Sequence, residues 1–232
     1  MLHQTQVSRV DLVYVRFMAS FPTPASFAAA SPERVVAAWE DLGYLRRARN
    51  LHEAARRLES AGWPVDLTEL PGVGPYTAAA IRAFAGGEPV AAVDVNLRRV
   101  LSRWEGRVLS VRGAGDVGNE LVDVARPGAW NQATMDLGAL LCRPRSPRCG
   151  ECPVAAWCRD PSIGLPSVRQ TRFEGSVRQA RAAVLKLLVD GPRTVEQLRT
   201  STGLDPATVR RACEALIAEE AISRDGQSFR LR

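Results

Sequence analysis

Hydrophobic positions in the first part of the chain recur at the spacing of amphipathic helices. Ser31-Pro32-Glu33 offers an N-cap and a proline at the first helical position, and Gly43 ends that segment. The next segment ends at Gly62, and strand-like alternation is not found before about residue 160, so this part is predicted to be all-α. In the segment that ends at Gly62, one helical face carries the apolar residues Leu45, Ala48, Leu51, Ala55 and Leu58.

The pattern changes after Cys158. Residues 161–176 are rich in proline, glycine, serine and arginine, which predicts a linker. Beyond it, a hairpin with its turn at Asp225-Gly226 follows three helical segments. We expect a small winged-helix-like α+β domain over residues 177–232. Its helices are predicted at 178–190, 194–200 and 205–219.

Composition narrows the location of the protein. No apolar run reaches the roughly 20 residues that span a bilayer, and the N-terminus lacks the basic and apolar blocks of a secretory signal. The protein is therefore predicted to be cytoplasmic and nucleoid-associated. Thiols stay reduced in the cytoplasm. The net charge of +6 points to a polyanionic partner. However, Lys186 is the only lysine, and arginine richness is also typical of a GC-rich genome.

The stretch "LTELPGVGPYTAAAIRAFAGG" predicts a tight turn between two helices. Gly72 and Gly74 flank Val73, and Pro75 stands at the first position of the following helix. Backbone N–H groups at such a turn can hold a phosphate oxygen without a charged side chain. The turn therefore predicts a helix-hairpin-helix that binds the DNA backbone, and an ordinary helix–helix turn is the alternative.

A candidate catalytic residue follows in "VAAVDVNLRRVLSRW". Asp94 lies between an apolar segment and a helix, where an aspartate commonly serves as an N-cap. Taken with the hairpin upstream, the V-D-x-N-x-x-R-V pattern resembles the helix-hairpin-helix/GPD superfamily of DNA glycosylases. In that superfamily the corresponding aspartate faces the deoxyribose, so the resemblance implies that Asp94 is catalytic.

Four cysteines lie within "CRPRSPRCGECPVAAWC". Structural zinc sites usually show two separated C-x2-C pairs, whereas this loop has one close pair and suits a [4Fe–4S] cluster. The spacing C-x6-C-x2-C-x5-C also resembles the endonuclease III and adenine glycosylase branches. Cys213 is expected to be a core residue. The predicted ligands are Cys142, Cys149, Cys152 and Cys158, and the arginines expected to contact phosphates are Arg143, Arg145 and Arg148.

Residues 1 to about 160 resemble the MutY-type adenine DNA glycosylases, in "MLHQTQV", "GYLRRARNL", "LPGVGPYTAAAI" and "ARPGAWNQATMDLGALLC". The resemblance implies an all-α fold, with a six-helix barrel over 1–104 and an iron–sulfur domain over 105–160. It implies flipping of the target base out of the duplex. Gln4 and Tyr44 would insert beside the flipped base, and Tyr76 stands where lyase-type relatives have a lysine.

The presence of a single lysine bears on the predicted mechanism. Strand-cleaving glycosylases usually use a lysine amine as nucleophile, and Lys186 lies beyond the linker. We therefore predict monofunctional hydrolysis. Asp94 would stabilise the sugar cation electrostatically or covalently, Asn96 would orient that centre, and Tyr76 would position the base or water.

Release of adenine also needs a proton on the purine, because its anion is a poor leaving group. In the MutY-type family a glutamate supplies it, two residues before the position that matches Met1. The sequence is therefore expected to be truncated or misassigned at its start, and a short form that binds DNA without efficient excision is the alternative. His3 is an alternative proton donor, but it is expected to contact DNA. Members of the family often carry a Nudix-like domain that recognises 8-oxoguanine, and the C-terminal segment cannot be one.

These observations predict a monomeric, monofunctional enzyme of base-excision repair that removes adenine mispaired with 8-oxoguanine or guanine in double-stranded DNA. One alternative is a DNA-binding or redox-sensing iron–sulfur protein without catalysis. Another is a glycosylase that removes mismatched thymine or uracil, which a Tyr76–Asp94 pair would also serve.

Overall fold

The computed structural model describes residues 1, 2, 5, 7–39, 42, 45–165, 172–219 and 221–231. Within these ranges, six α-helices lie between Val7 and Glu105, and the predicted helical fold is confirmed. They are α1 (Val7–Ser20), α2 (Pro24–Ala28), α3 (Pro32–Trp39), α4 (Leu45–Ala61), α5 (Pro75–Phe84) and α6 (Val95–Glu105). Further along the chain are α7 (Val111–Leu121), α8 (Pro127–Asp136), α9 (Val177–Val189), α10 (Val195–Thr202) and α11 (Pro206–Ala218).

The chain divides into two compact units. The first contains Met1–Val65, Leu70–Gly72 and Arg169–Arg232, and the second contains Asp66–Glu69 and Val73–Val168. The domains predicted over 1–104, 105–160 and 177–232 are continuous stretches of sequence and remain a prediction. The two compact units group residues by the contacts between them.

The first unit has one continuous hydrophobic core. Phe17 makes edge-to-face contacts with Phe21, Phe27 and Trp39, at ring distances of 5.2, 5.1 and 5.9 Å. The same cluster of buried residues extends to side chains of the C-terminal segment, including Leu216. The C-terminal segment is therefore anchored to α1–α4 by shared apolar burial.

The C-terminal segment has three helices and a three-stranded antiparallel sheet, as expected for a winged helix. The strands are β1 (Arg193–Thr194), β2 (Ile222–Asp225) and β3 (Ser228–Leu231), in the order β1-β3-β2. The predicted turn was misplaced by one residue, because Asp225 pairs with Ser228 and the loop is Gly226-Gln227. Gly226 supplies the positive φ of 58° that this turn uses.

The second unit holds α5–α8 and the cysteine loop. Helix α7 packs closely on the extended segment before α6, since a Cβ on Gly118 would meet the Ala91 side chain at 2.6 Å. Asn131 is fully buried, accepts from the Ala92 N–H at 2.7 Å and donates to the Val90 carbonyl at 2.9 Å. This amide satisfies the backbone of the extended segment that leads directly to Asp94.

Candidate active site and cluster loop

The predicted hairpin turn has the geometry that its glycines require. Gly72 has φ of 78°, and a Cβ there would meet the Asn50 side chain at 2.8 Å. Gly74 is the N-cap of α5 with φ of −90°, followed by Pro75 at the first helical position, and α5 begins without a side-chain cap. Such a helix start favours an anion. Val73 is half-buried.

Asp94 is both a helix cap and a candidate catalytic carboxylate. Its Oδ1 accepts from the Leu97 N–H at 2.7 Å, and its Oδ2 accepts from the Asn96 amide at 3.0 Å. The side chain remains half-buried at the start of α6. Capping therefore fixes the orientation of the carboxylate without burying it, so the structural and the catalytic interpretations of Asp94 are compatible.

Tyr76 on α5 lies within electrostatic reach of this carboxylate. Burial, and to a smaller extent the negative charge of Asp94, raise the pKa of the Tyr76 phenol. The hydroxyl lies 4.0 Å from the Met135 sulfur. The structure thus brings Tyr76, predicted from the hairpin motif, near Asp94 and Asn96, predicted from the V-D-x-N motif.

A buried arginine connects this group to the cysteine loop. Arg99 is only 2% exposed and donates to the Asn96 amide oxygen at 2.8 Å. It also donates to the backbone carbonyls of Gly138 and Cys142, both at 2.7 Å. Burial lowers the pKa of the Arg99 guanidinium. The contacts form a chain from Asp94 through Asn96 and Arg99 to the backbone of Cys142.

Arg103 lies one helical turn further and binds the cysteine loop directly. Its guanidinium donates to the Cys142 sulfur at 3.2 Å and to the Arg143 carbonyl at 2.9 Å. Its own carbonyl accepts from the Cys158 thiol at 3.6 Å and from the Asp160 N–H at 3.0 Å. The sequence interpretation missed both arginines. The signal was available, since positions 99 and 103 fall on the buried side of α6.

The four cysteines of the loop face one cavity. Cys142, Cys149, Cys152 and Cys158 are free thiols and line a cavity of about 80 Å³ together with Arg103 and Pro147. Burial and the three neighbouring thiols raise the pKa of Cys158. In the described ranges, no group of three or more histidine, cysteine, aspartate or glutamate residues is arranged to hold a single metal ion. Four thiols around such a cavity fit a four-iron cluster, in which each thiolate binds a different iron.

The predicted DNA-contacting residues differ in how available they are. Arg143, Arg145 and Arg148 are all exposed, but Arg148 forms a two-point ion pair with Glu151, at 2.8 and 2.5 Å. Ser146 adopts φ of 51° within this loop. Gln4 and Tyr44 lie outside the described residues, as does His3.

Comparison with known proteins decides the family. The model of the HhH-GPD superfamily of base excision DNA repair proteins matches residues 1–108, and that of the iron–sulfur binding domain of endonuclease III matches 142–158. An adenine DNA glycosylase of Mycolicibacterium smegmatis is 38% identical over 94% of this chain and 80% of its own length. The chain belongs to the adenine DNA glycosylase family.

Other adenine DNA glycosylases are also similar. The Homo sapiens protein is 42% identical over 68% of this chain and 32% of its own length. Among solved structures, a thermostable thymine-DNA glycosylase is 27% identical with a TM-score of 0.63, over 68% of this chain and 78% of that one. An endonuclease III in a DNA complex has a TM-score of 0.60 at 27% identity, over 69% and 79%. The predicted family, helix-hairpin-helix fold and [4Fe–4S] cofactor are confirmed.

The part of the chain that the structure describes has no helix long and apolar enough to cross a membrane.

Proposed function

We propose that this adenine DNA glycosylase family member hydrolyses the N-glycosidic bond of adenine mispaired with 8-oxoguanine or guanine. The observation that carries the proposal is the fixed carboxylate of Asp94, held by the Leu97 N–H and the Asn96 amide beside the Tyr76 phenol. The adenine DNA glycosylase of Mycolicibacterium smegmatis, 38% identical over 94% of this chain, supports adenine as the target.

In this proposal Asp94 stabilises the positive charge that develops on the deoxyribose as the bond breaks. A carboxylate already oriented by two donors needs little rearrangement when that charge appears. Asn96 holds the carboxylate, and the Tyr76 hydroxyl donates to the base or to the attacking water. The purine must also take up a proton as the bond breaks, because its anion is a poor leaving group.

Base release without strand cleavage follows from the position of the lysine. Lys186, the only lysine of this sequence, lies on α9, outside residues 73–168. A Schiff base with a lysine therefore has no source among residues 73–168. We infer hydrolysis by water.

DNA binding is assigned to three sets of residues. The hairpin turn, Gly72, Val73 and Gly74, binds backbone phosphates through its N–H groups. Arg143, Arg145 and Arg148 of the cysteine loop add positive charge. Gln4 and Tyr44 are proposed to insert into the duplex.

We further propose that the protein is a monomer in the cytoplasm. Its proposed domains are a barrel domain over 1–104, a cluster domain over 105–160, a linker over 161–176 and a winged-helix-like domain over 177–232.

The cluster has a structural part in this proposal. Cys142, Cys149, Cys152 and Cys158 would hold the [4Fe–4S] cluster, which closes the arginine-bearing loop and keeps it ordered. Arg103 orients the loop by donating to the Cys142 sulfur and the Arg143 carbonyl.

A second candidate function is removal of thymine or uracil from mismatches. A thymine-DNA glycosylase shares the fold at a TM-score of 0.63, and a Tyr76–Asp94 pair suits that reaction as well. Both candidates are tested by measuring base release from duplexes that contain A:8-oxoguanine, A:G, T:G or U:G. The assay uses the chain from Met1 and a chain extended by the upstream in-frame codons. Release of adenine alone supports the proposal, and release of thymine or uracil in its place overturns it.

A further inference from the structure

Helices α10 and α11 form a helix-turn-helix in the first unit. Three residues, Gly203 to Asp205, join them, and Gly203 takes the left-handed φ of 63°. Asp205 caps α11 by accepting from the Thr208 N–H at 2.9 Å. A turn of this length with a glycine is typical of the DNA-binding motif, in which the second helix enters the major groove.

The two faces of α11 differ sharply. One face is buried in the core of the first unit, and its members are Thr208, Val209, Ala212, Cys213 and Leu216. The opposite face is exposed at Ala207, Arg210, Arg211 and Glu214, which follow the i, i+3, i+4, i+7 spacing of one helical stripe. Arg211 is steadied by a hydrogen bond from its guanidinium to the Thr208 hydroxyl at 3.3 Å.

The packing of the C-terminal segment leaves this stripe available. The segment contacts the N-terminal helices through α9, which packs against α3, and through the shared hydrophobic core. Arg49 on α4 adds a hydrogen bond to the Glu219 carbonyl at 3.1 Å, just beyond the end of α11. Among the residues that the structure describes, the anchoring contacts involve α9, the buried face of α11 and its C-terminal end, whereas the stripe stays exposed.

The hairpin beside α11 adds a further arginine. Helix α11 packs against β2, and Arg224 near the tip of β2 is exposed, with its guanidinium on the Gly226 carbonyl at 3.0 Å. Arg230 lies on the other face of the hairpin, where it donates to the Ser223 hydroxyl at 3.3 Å. Arg224 therefore lies on the same face of β2 as the buried residue Ile222, and Arg230 lies on the opposite face.

We propose that α11 and the β2–β3 hairpin form a second binding surface for duplex DNA, in addition to the hairpin turn and the cysteine loop. Arg210 and Arg211 lie in the major groove, which is wide enough for an α-helix. Arg224 binds the flanking phosphates. Duplex DNA fits better than an acidic protein, because the arginines are mounted on a helix-turn-helix with its second helix exposed.

The test measures binding of an undamaged duplex of about 30 base pairs, roughly three helical turns. The double variant Arg210→Ala/Arg211→Ala is expected to bind about tenfold more weakly. Its plot of log affinity against log salt should be shallower by about one to two units, because the interface loses two positive charges that displace counterions from the DNA. Arg224→Glu should weaken binding in the same direction. These side chains are exposed, so unfolding temperatures should stay close to that of the unmodified protein.

The matched control removes two charges from the same segment outside α11 and the hairpin. It is Lys186→Ala/Arg199→Ala, in which the exposed Arg199 is already paired with Glu196. Equal losses in the control and the test variant would overturn the proposal, as would unchanged binding by Arg210→Ala/Arg211→Ala. Tighter binding of polyglutamate than of duplex would assign the surface to acidic proteins instead. Base release from a short duplex should not change, which separates this result from the proposed catalytic function.

Discussion

Arg99 donates a hydrogen bond to the backbone carbonyl of Cys142 at 2.7 Å, across 43 positions of sequence. The same guanidinium reaches the Asn96 amide oxygen, and Asn96 in turn holds Asp94. The carboxylate proposed for catalysis and the loop proposed to hold the cluster are therefore parts of one hydrogen-bonded network.

Replacement of Arg99 should affect both ends of this network. Arg99→Gln leaves carbonyls of Gly138 and Cys142 and the Asn96 amide without their donor, each at a cost of about 1–3 kcal/mol when buried. We expect the free energy of unfolding to fall by at least about 3 kcal/mol and the single-turnover rate of adenine release to fall more than duplex affinity. Urea unfolding and rapid-quench kinetics measure these quantities.

The neighbouring residue provides the control for Arg99. Arg98 on the same helix donates to one carbonyl, that of Leu109, at 2.7 Å and does not contact Asn96. Arg98→Gln should therefore lose about 1 kcal/mol of stability and retain the excision rate. If both variants slowed excision equally, the network would have no special part in holding Asp94.

The cysteine-loop arginines should contribute unequally to DNA binding. Arg148 must give up its ion pair with Glu151 before it can bind a phosphate. Arg143→Gln and Arg145→Gln, each as a single variant, should thus weaken duplex binding and flatten its salt dependence by about one unit, while Arg148→Gln has a smaller effect. Glu151→Gln should tighten binding by freeing Arg148. Titrations with duplex DNA over a range of salt concentrations measure the affinity and its salt dependence. The absorbance of the cluster checks that each variant retains it. Equal effects at all three positions would contradict the structural ranking.

The hairpin turn offers a matched pair of glycines. Gly72→Ala places a side chain at φ of 78° and against Asn50, and we expect a loss of about 2 kcal/mol in unfolding free energy. Gly74→Ala introduces no contact within 4 Å at a φ of −90°, so its stability should be nearly unchanged. Thermal or urea unfolding of the two variants compares them. Equal losses would show that the left-handed backbone at Gly72 is not what the turn requires.

Several features of the site were predictable because they depend on local geometry. Gly72 is required by a backbone angle within the turn, and the cysteines lie on one contiguous loop, so sequence spacing alone located them. The positions of Arg99 and Arg103 relative to Cys142 depend on the packing of α6 against a loop about 40 residues away, which spacing does not encode. The misplaced turn at Gly226 shows the same limit, because strand register decides which residues form the loop.

The alkaline stability of the protein should report on Tyr76. Burial and the nearby Asp94 raise the pKa of this phenol in the folded state. The folded protein therefore retains a proton that the unfolded chain loses, so stability is complete below the ordinary tyrosine pKa of about 10 and declines as pH rises through the higher folded value. Tyr76→Phe should make that decline shallower. Urea unfolding between about pH 8 and 11 tests this, and parallel curves for the two proteins would contradict it.

The central claim is that the Asp94 carboxylate drives base release. Asparagine is also a good N-cap, so Asp94→Asn should keep α6 intact while removing the charge. Ser110→Ala, which removes the cap of α7 in the same unit, controls for capping alone and should retain turnover. The decisive measurement is the single-turnover rate of adenine release from an A:8-oxoguanine duplex, made with the form of the chain that is active on that duplex. We predict that Asp94→Asn lowers this rate by at least about a hundredfold with duplex affinity unchanged. A rate close to that of the unmodified protein would contradict the account.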